Sequence, residues 1–326
     1  MALVLIVLIP LPLEASEVRP FQTQNQSPLV QIFGLPAPQG AAILPRGKAR
    51  VRIGADIASH YASDFTLQES ILLDGESYRF TLEGHYGIGR GVEVGLELPY
   101  VVYGGGFLDG LIDTWHRAFG FPEGGRNQAP RNRLLFLYQS RQKDRLRIDR
   151  PNSGIGDSRL QTGLQIYENP EGGVSQLSLR ASLKLPTGDP GFLHGSGSTD
   201  LALWAIGSQE FPWTYGSWVL WGWAGMLGMT TGRVLPDQQR NLVVFGGLGV
   251  GYRPFSWMAL KVQTNAHGPF FKESELRELA LSSIQLSLGG SVSLSEKISL
   301  DIGITEDLIV KTSPDVVFLL ALIGRF

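Results

Sequence analysis

The chain of 326 residues contains no cysteine, and only 18% of its residues are charged. The absence of cysteine excludes a disulfide framework and any metal site built from thiolates. The five histidines do not show the spacing of paired metal ligands, so neither a metal site nor a cofactor is expected. The 28 basic residues are balanced by 30 acidic ones and form no basic block, which argues against a nucleic-acid partner.

Long hydrophobic runs are also missing. The extended apolar run from Ala2 to Leu13 is shorter than the roughly 20 residues that a membrane-spanning helix needs. Small residues follow it at Ala15 and Ser16, and this arrangement predicts a signal peptide over residues 1–15. No basic residue precedes the run, which departs from the usual signal-peptide pattern. The protein is expected to be exported from the cytoplasm.

Alternation of apolar and polar residues is abundant. Between Leu177 and Leu185, apolar residues occupy every second position, and residues such as Arg180 and Lys184 lie between them. A period of two residues places the two kinds of side chain on opposite faces of a strand. About twelve segments have this pattern, and they begin near Lys48, Ser77, Gly91, Asp157, Val174, Asp200, Tyr215, Asn241, Ser256, Leu281, Glu296 and Asp315.

The connections between these segments are alternately long and short. The long ones contain Ser63 to Glu76, Gly104 to Gly156, Pro186 to Thr199, Thr230 to Arg240, His267 to Ala280 and Glu306 to Pro314. Tight periplasmic turns, long outer loops and an even number of strands are typical of outer-membrane barrels. We therefore predict an all-β fold, a transmembrane antiparallel β-barrel of about 12 strands in the bacterial outer membrane. Residues 47–326 would form the barrel, and residues 16–46, rich in Gln and Pro, would form a periplasmic N-terminal segment.

The last predicted strand ends on an aromatic residue, Phe326, after an alternating apolar series that starts at Val316. Aromatic rings are favourable at the membrane interface, and bacterial barrel-assembly machinery reads such a C-terminal strand. The expected partners are therefore this machinery, outer-membrane lipids and lipopolysaccharide. Further aromatic residues flank two of the short turns, as an interfacial girdle would: Trp213, Tyr215, Trp218, Tyr252, Phe255 and Trp257.

The long connection after Gly104 contains a helical pattern. Phe107, Leu111, Trp115 and Phe119 recur at helical spacing with polar residues between them. This spacing predicts a short amphipathic helix in an outer loop. The helix would constrict the barrel mouth, lie on the lipopolysaccharide interface, or pack on its own loop.

Charged residues fall on the faces predicted to line the lumen. They carry both signs: Arg50, Arg52, Asp56, Arg79, Glu83, Glu93, Glu97, Arg159, Arg180, Lys184, Lys261 and Asp301. One interpretation is an ion-pair lattice that satisfies a polar interior. The other is a permeation path for a small polar or amphipathic solute. A mixture of signs does not indicate a filter for anions or for cations.

One predicted strand is unusually rich in glycine. Gly246, Gly247, Gly249 and Gly251 lack the strand–turn–helix context of a phosphate-binding loop, so we expect them to leave room for a bulky neighbour inside the barrel. Trp221 and Trp223 lie in the middle of their predicted strand and fit either face of it.

A hydrolase is the enzymatic alternative. His194 and Ser196 have the His-x-Ser spacing that some outer-membrane lipid hydrolases use. A catalytic serine needs a base within hydrogen-bond reach and a third group that orients the base. Here the pair lies in a glycine-rich outer loop, and Gly197 follows the serine where those hydrolases have asparagine. The protein is therefore not expected to be an enzyme, and no catalytic residue is assigned.

Glycine and aspartate motifs at strand ends carry a family resemblance. Gly154, Gly156 and Asp157, the run Leu185 to Asp189, and Gly195, Gly197, Thr199 and Asp200 resemble outer-membrane channels grouped with the meta-pathway of phenol degradation. The Gly104 to Arg131 insertion is similar to that of an uncharacterised family of proteobacterial outer-membrane barrels, domain of unknown function 3187. The resemblance implies a barrel and a porin-like channel for a small solute. The main alternative is a closed barrel with a structural or interaction role.

Overall fold

The computed structural model describes residues 17–106, 130, 132–171, 173–308 and 312–326. Its twelve long strands close into a barrel, because the last strand pairs with the first. This pairing is antiparallel and runs from Arg50 opposite Arg325 to Ser59 opposite Val316. Closure leaves no unpaired edge within the membrane, where an unsatisfied backbone group is costly. The predicted fold class, an antiparallel barrel of 12 strands, is confirmed.

The barrel strands follow the alternating segments of the sequence. They are β1 (Ala49–Phe65), β2 (Glu69–Gly89), β3 (Val92–Gly104), β7 (Arg159–Asn169), β8 (Ser175–Lys184), β9 (Asp200–Trp213), β10 (Gly216–Met229), β11 (Leu242–Phe255), β12 (Met258–His267), β13 (Ser283–Ser293), β14 (Ile298–Asp307) and β15 (Val316–Arg325). Each pairs with its neighbours along the chain, so the topology is a simple meander with β1 returning to β15.

Three further strands build up the outer rim: β4 (Leu135–Ser140), β5 (Lys143–Ile148) and β6 (Asn152–Ile155). β4 pairs with the outer part of β2 and β6 with the outer part of β3. The connection from Ser63 to Glu76, expected to be a long loop, is instead mostly strand, because β1 and β2 continue to a tight turn at Thr66. The pairing with β4 supports this extension.

Helical structure is sparse in the described residues. A short helix, Arg277–Ala280, lies between β12 and β13, and a single 3-10 turn, Pro190–Phe192, lies between β8 and β9. The predicted helix with Phe107, Leu111, Trp115 and Phe119 lies outside the described residues. No helix in the described part of the chain is long and apolar enough to cross a bilayer.

The outward face of the barrel carries the apolar residues of the alternating pattern. Residues such as Leu177, Leu179, Leu201 and Leu203 are exposed on it. The aromatic residues at two of the short turns are exposed, apart from the half-buried Tyr252, and form stacked or edge-on pairs: Trp213 with Tyr215, Trp218 with Tyr252, and Phe255 with Trp257. This arrangement matches an apolar band bordered by interfacial aromatic rings.

The N-terminal segment lies inside the barrel, which corrects the expectation that residues 16–46 lie in the periplasm. Almost every residue from Val18 to Ala41 is buried, including Phe21, Phe33 and Gln39. The physical reason is complementarity: the lumen presents charged and amide groups, and the segment supplies glutamine side chains and backbone groups that hydrogen-bond with them. Residues 1–15, the predicted signal peptide, lie outside the described residues.

Candidate functional site

The lumen and the segment that fills it form the candidate site. The segment begins at the rim that carries the short turns, the rim predicted to be periplasmic. It runs away from this rim as an ascending arm (residues 17–26), turns at residues 27–33, and returns as a descending arm (residues 34–46). Backbone hydrogen bonds from Val30 and Gln31 to Ser27 close the turn. The descending arm then continues directly into β1, where Gly47 bonds to Gly87 at the periplasmic end of β2. We call residues 17–46 the plug.

Aromatic side chains enclose the tip of the plug at the outer end of the lumen. Phe33 stacks on Phe270 with 4.9 Å between ring centroids and meets Phe271 edge-on at 5.8 Å. Tyr103 also reaches the tip, since Gln31 donates a hydrogen bond to its hydroxyl over 3.0 Å. Burial of these rings stabilises the closed arrangement by removing apolar area from water.

One side of the lumen carries most of its charges. Ten of the twelve predicted lumen residues lie on β1, β2, β3, β7 and β8, and this set, the charged wall, comprises Arg50, Arg52, Asp56, Arg79, Glu83, Glu93, Glu97, Arg159, Arg180 and Lys184. They are all buried, and opposite charges meet: Arg79 lies 3.0 Å from Glu97 and Arg180 lies 2.7 Å from Glu93. Pairing of this kind offsets the cost of removing charges from water.

The descending arm is fixed to the charged wall mainly through its backbone. Arg180 donates to the carbonyl oxygens of Gly40 over 2.6 Å and Ala42 over 3.2 Å. The backbone N–H of Leu44 donates to Glu93 over 2.8 Å, and Gln39 donates to Glu83 over 3.0 Å. Hydrogen bonds to charged groups are roughly twice as strong as neutral ones, so this arm is firmly held.

The ascending arm also contacts the charged wall, through both backbone and side chains. Arg52 donates to the backbone carbonyl of Gln22 over 2.9 Å, Thr23 donates to Asp56 over 3.0 Å, and Arg159 donates to the side-chain oxygen of Gln24 over 3.0 Å. A cavity of about 20 Å³ lies between this arm and the wall. Gln24 and Gln26 border it, and each has a buried amide atom without a hydrogen-bond partner among the described residues. The contact between the ascending arm and the charged wall is therefore incomplete.

The opposite side of the lumen is largely uncharged. We call it the neutral wall, and its inward side chains are Trp204, Trp221, Trp223, Gln263, Asn265 and Gln285. Two of the expected lumen charges lie beside it, Lys261 and Asp301, which pair over 3.0 Å. The ascending arm runs along this wall. The backbone N–H of Phe21 donates to the side-chain oxygen of Gln263 over 2.8 Å, and the Gln263 side-chain amide donates to the Phe21 carbonyl over 3.0 Å.

The glycines of β11 make room for tryptophan, as expected from the sequence. A Cβ atom at Gly247 would lie 2.3 Å from the ring of Trp223, and one at Gly249 would lie 2.5 Å from the ring of Trp221. A real Cβ atom essentially never lies within 3.0 Å of a heavy atom to which it is not bonded. Both indoles therefore point into the lumen and lie over β11, which settles the orientation that the sequence left open.

A buried lysine organises the outer end of the charged wall. The ammonium of Lys184 lies 2.5 Å from Asp157, 3.2 Å from Asp200 and 2.6 Å from the hydroxyl of Ser196, and it donates to the Ile32 carbonyl over 3.3 Å. The Asp200 carboxylate accepts a further hydrogen bond from the backbone of Gly34 over 2.7 Å. We call Lys184, Asp157 and Asp200 the lysine cluster. It joins the loop between β8 and β9 to the plug.

The lysine cluster explains the motif residues of the sequence. The backbone N–H of Gly188 donates to Asp157 over 2.8 Å, and a Cβ atom at Gly195 would lie only 2.2 Å from the same carboxylate. These glycines let the loop approach the buried charges closely. Their role in this structure is to fold the loop inward.

The structure does not bring His194 and Ser196 together as a catalytic pair. The His194 ring lies 2.8 Å from the side-chain oxygen of Asn152, and Ser196 is fully buried and bonded to Lys184 and Ser198. A serine without access to substrate cannot serve as a nucleophile. No group of three metal-ligating side chains occurs within the described ranges of the chain.

Acidification should loosen the loop that holds His194. Burial lowers the pKa of this histidine below its ordinary value of 6.5, with Asp189 acting in the opposite direction. The folded state thus favours the neutral ring, so its contribution is present above pH 6.5 and is lost as the pH falls through the lowered pKa. We expect proteolysis of residues 186–199 to accelerate between pH 7.5 and pH 5. The variant His194→Gln should lack this acceleration; an unchanged profile would assign it to another group.

The plug is the part of the site that the sequence analysis missed. Its signal was the concentration of amide side chains in a segment without alternation, Gln22, Gln24, Asn25, Gln26 and Gln31. Nearly all of them are buried against the wall. Amide groups satisfy both donors and acceptors, which suits a lumen of mixed charge.

Comparison with solved structures supports the fold. The COG4313 outer membrane channel from Pseudomonas putida F1 superposes with a TM-score of 0.54 at 12% identity, covering 88% of this chain and 98% of that chain. The CymD monoaromatic hydrocarbon channel gives a TM-score of 0.37 at 13% identity, covering 86% and 88%. The toluene transporter TbuX from Ralstonia pickettii gives 0.38 at 9% identity, covering 87% and 90%. The COG4313 superposition, at 12% identity, shows likeness of fold alone.

A comparison with curated proteins finds no match. The model of the family described as protein of unknown function, DUF3187, matches residues 1–326. The match agrees with the resemblance seen in the insertion after Gly104. The chain belongs to the DUF3187 family.

Proposed function

We propose that the protein is an outer-membrane channel for a small polar or amphipathic solute and that its own N-terminal plug closes it. The barrel supplies a continuous wall with an apolar exterior. Within the residues that the structure describes, the plug fills the interior together with the side chains of the wall. The observation that carries the proposal is the difference between the two arms of this segment.

The descending arm acts as the fixed element. It is covalently continuous with β1, and buried guanidinium groups hold its carbonyl oxygens, as Arg180 does at Gly40 and Ala42. Releasing it would leave these Arg180 donors without acceptors, although the ion pair with Glu93 would remain, and hydrogen bonds to charged groups contribute about 1.5–3 kcal/mol each. The arm is therefore expected to stay in place during opening.

The ascending arm acts as the gate. It emerges at the periplasmic rim near Glu17. Its bonds to Arg52, Asp56 and Arg159 lie around a small polar cavity, and along the neutral wall its bonds with Gln263 are neutral. A neutral hydrogen bond contributes only about 0.5–1.5 kcal/mol net, because water replaces it when it breaks. Withdrawal of this arm would uncover the neutral wall along β10 to β13 and leave a path beside the fixed arm.

Disulfide tethers test this assignment, since the chain has no cysteine of its own. Val18→Cys with Gly251→Cys joins the ascending arm to β11: a Cβ at Gly251 lies 2.5 Å from a Val18 methyl carbon, and a disulfide needs about 3.5–4.5 Å between its Cβ atoms. In liposome-swelling assays with sugars, aromatic acids and ions, oxidation of this variant should abolish permeability and reduction should restore it.

The matched control tethers the fixed arm. Ile43→Cys with Gly163→Cys joins the descending arm to β7, since a Cβ at Gly163 lies 2.5 Å from the end of the Ile43 side chain. Oxidation should leave its permeability unchanged. If no solute passes through either variant in either redox state, the alternative of a closed structural barrel is favoured. If the oxidised Val18–Gly251 variant passes as much solute as the reduced variant, the ascending arm is not the gate.

A further inference from the structure

The neutral wall has an ordered arrangement across four strands. Pairing register places Trp223, Gly247, Asn265 and Gln285 side by side on β10, β11, β12 and β13. The next inward row, two residues toward the periplasm, consists of Trp221, Gly249, Gln263 and Ser287. Each row therefore presents an indole, a glycine and then hydrogen-bonding groups.

The glycines turn these rows into a shallow trough. Without a Cβ on β11, the Trp221 and Trp223 rings lie over the strand and reach toward β12. The trough has an aromatic floor on one side and amide groups on the other. Flat apolar surfaces stack well on indole faces.

Several hydrogen-bond donors of the trough are unused. Buried and without a hydrogen-bond partner among the described residues are the indole nitrogens of Trp204 and Trp221 and the amide nitrogens of Asn265 and Gln285. Leaving a buried donor unsatisfied costs about 1–3 kcal/mol. The plug does not supply acceptors to these donors. A molecule that brings acceptors into the trough would satisfy them and remove this cost.

We propose that the neutral wall is a solute-binding site for an uncharged, flat amphipathic molecule carrying oxygen acceptors. The aromatic floor favours a planar apolar part, and the unused donors favour carbonyl or hydroxyl oxygens. A charged solute is disfavoured, since Lys261 and Asp301 already neutralise each other beside the trough. This site names the class of solute for the proposed channel, and the inference rests on that proposed function.

The site and the gate occupy the same surface. Val18 and Trp221 both border Gly251, at 2.5 and 3.1 Å from where its Cβ would lie. Phe21 is bonded to Gln263, and Asn25 lies 2.9 Å from His267 at the outer end of the same strand. A solute that binds the neutral wall must displace the ascending arm. Because it binds only the open arrangement, it shifts the population toward the open channel.

Equilibrium binding to the detergent-purified chain tests the site with three matched probes: benzamide, benzoate and toluene. Benzamide is uncharged with an oxygen acceptor, benzoate adds a charge, and toluene lacks the acceptor. We expect benzamide to bind more tightly than either of the others by calorimetry. A variant with residues 18–25 replaced by Gly and Ser should bind benzamide more tightly still, because the arm no longer competes.

Variants that remove single donors locate the binding. Trp221→Phe keeps an aromatic ring but loses the N–H, and it should weaken benzamide binding about fivefold, the loss expected for one neutral hydrogen bond. Gln285→Leu should act similarly. The control Trp218→Phe changes a lipid-facing tryptophan of the same strand, 40% exposed, and should have no effect. Retention of the heat-modifiable mobility of folded barrels on SDS gels checks that each variant is folded.

The outcomes separate the site from the channel. Absence of benzamide binding to both the wild type and the arm-replaced variant overturns the site, as does equal binding of benzoate or an equal loss in Trp218→Phe. Loss of binding confined to Trp221→Phe and Gln285→Leu supports it. Benzamide binding without any permeability in liposomes would support the binding site and contradict the channel. Permeability without benzamide binding would support the channel and contradict the binding site.

Discussion

Replacing residues 18–25 with an equally long Gly and Ser sequence should open the channel. With Gly at position 23, the replacement removes the bond from Thr23 to Asp56, the bond from the Asn25 side chain to Thr312, and the Phe21 ring, whose centroid lies 4.0 Å from the Lys261 ammonium. The chain length and the descending arm are kept. Side-chain hydrogen bonds and the burial of Phe21 are lost, and each 1.4 kcal/mol shifts the closed-to-open ratio about tenfold. Single-channel conductance in planar bilayers should therefore change from mostly closed to mostly open.

A control for this variant lies outside the lumen. Substituting Gly and Ser for Arg141 and Gln142, in the tight turn between β4 and β5 at the outer rim, should leave conductance unchanged. The arm-replaced variant should still fold, because the barrel ring is closed by β1 and β15 without the ascending arm. Conductance equal to that of the wild type would show that the ascending arm does not block the path.

Lys184→Met should cause the largest loss of stability among single substitutions in the lumen. It leaves Asp157 and Asp200 buried beside each other without their shared cation. Removing one partner of a buried ion pair costs roughly 3–5 kcal/mol, and here two carboxylates lose the same partner. The midpoint of urea unfolding should fall, and proteolysis of residues 186–199 should increase because Ser196 also loses its contact.

Two further variants separate charge from packing. The triple variant Lys184→Met, Asp157→Asn, Asp200→Asn has no stranded charge and should recover much of the lost stability. Lys261→Met strands only Asp301, which also accepts a hydrogen bond from Ser291, and should be milder. If Lys184→Met unfolds at the same urea concentration as the wild type, the lysine cluster does not stabilise the loop.

The barrel itself was predictable because its signals are local. A period of two residues is written into each strand, and turn residues such as Arg90 with Gly91, and Thr214 with Tyr215, separate the strands. Both kinds of signal depend only on neighbours along the chain. The glycines of β11 were interpretable for the same reason, since a strand keeps such residues only where something bulky needs their space.

The extension of β1 and β2 beyond the membrane was not predictable. Between Ser63 and Glu76 the alternation is weak, and strand structure there depends on pairing with β4, which is about 60 residues away in sequence. A pairing partner at such a distance leaves no trace in the local pattern. The prediction of a loop was therefore wrong, because strand structure here depends on a tertiary contact.

The sequence by itself determined that the chain alternates between two faces, closes a barrel and carries charges of both signs on one face. Only the tertiary structure decided that residues 17–46 lie within the lumen, and that the charges gather on one wall while Trp221 and Trp223 occupy the other. The physical reason is that periodicity fixes which face a side chain occupies. Which groups meet across the lumen depends on contacts between strands and plug that are far apart in the chain, such as Gly34 with Asp200.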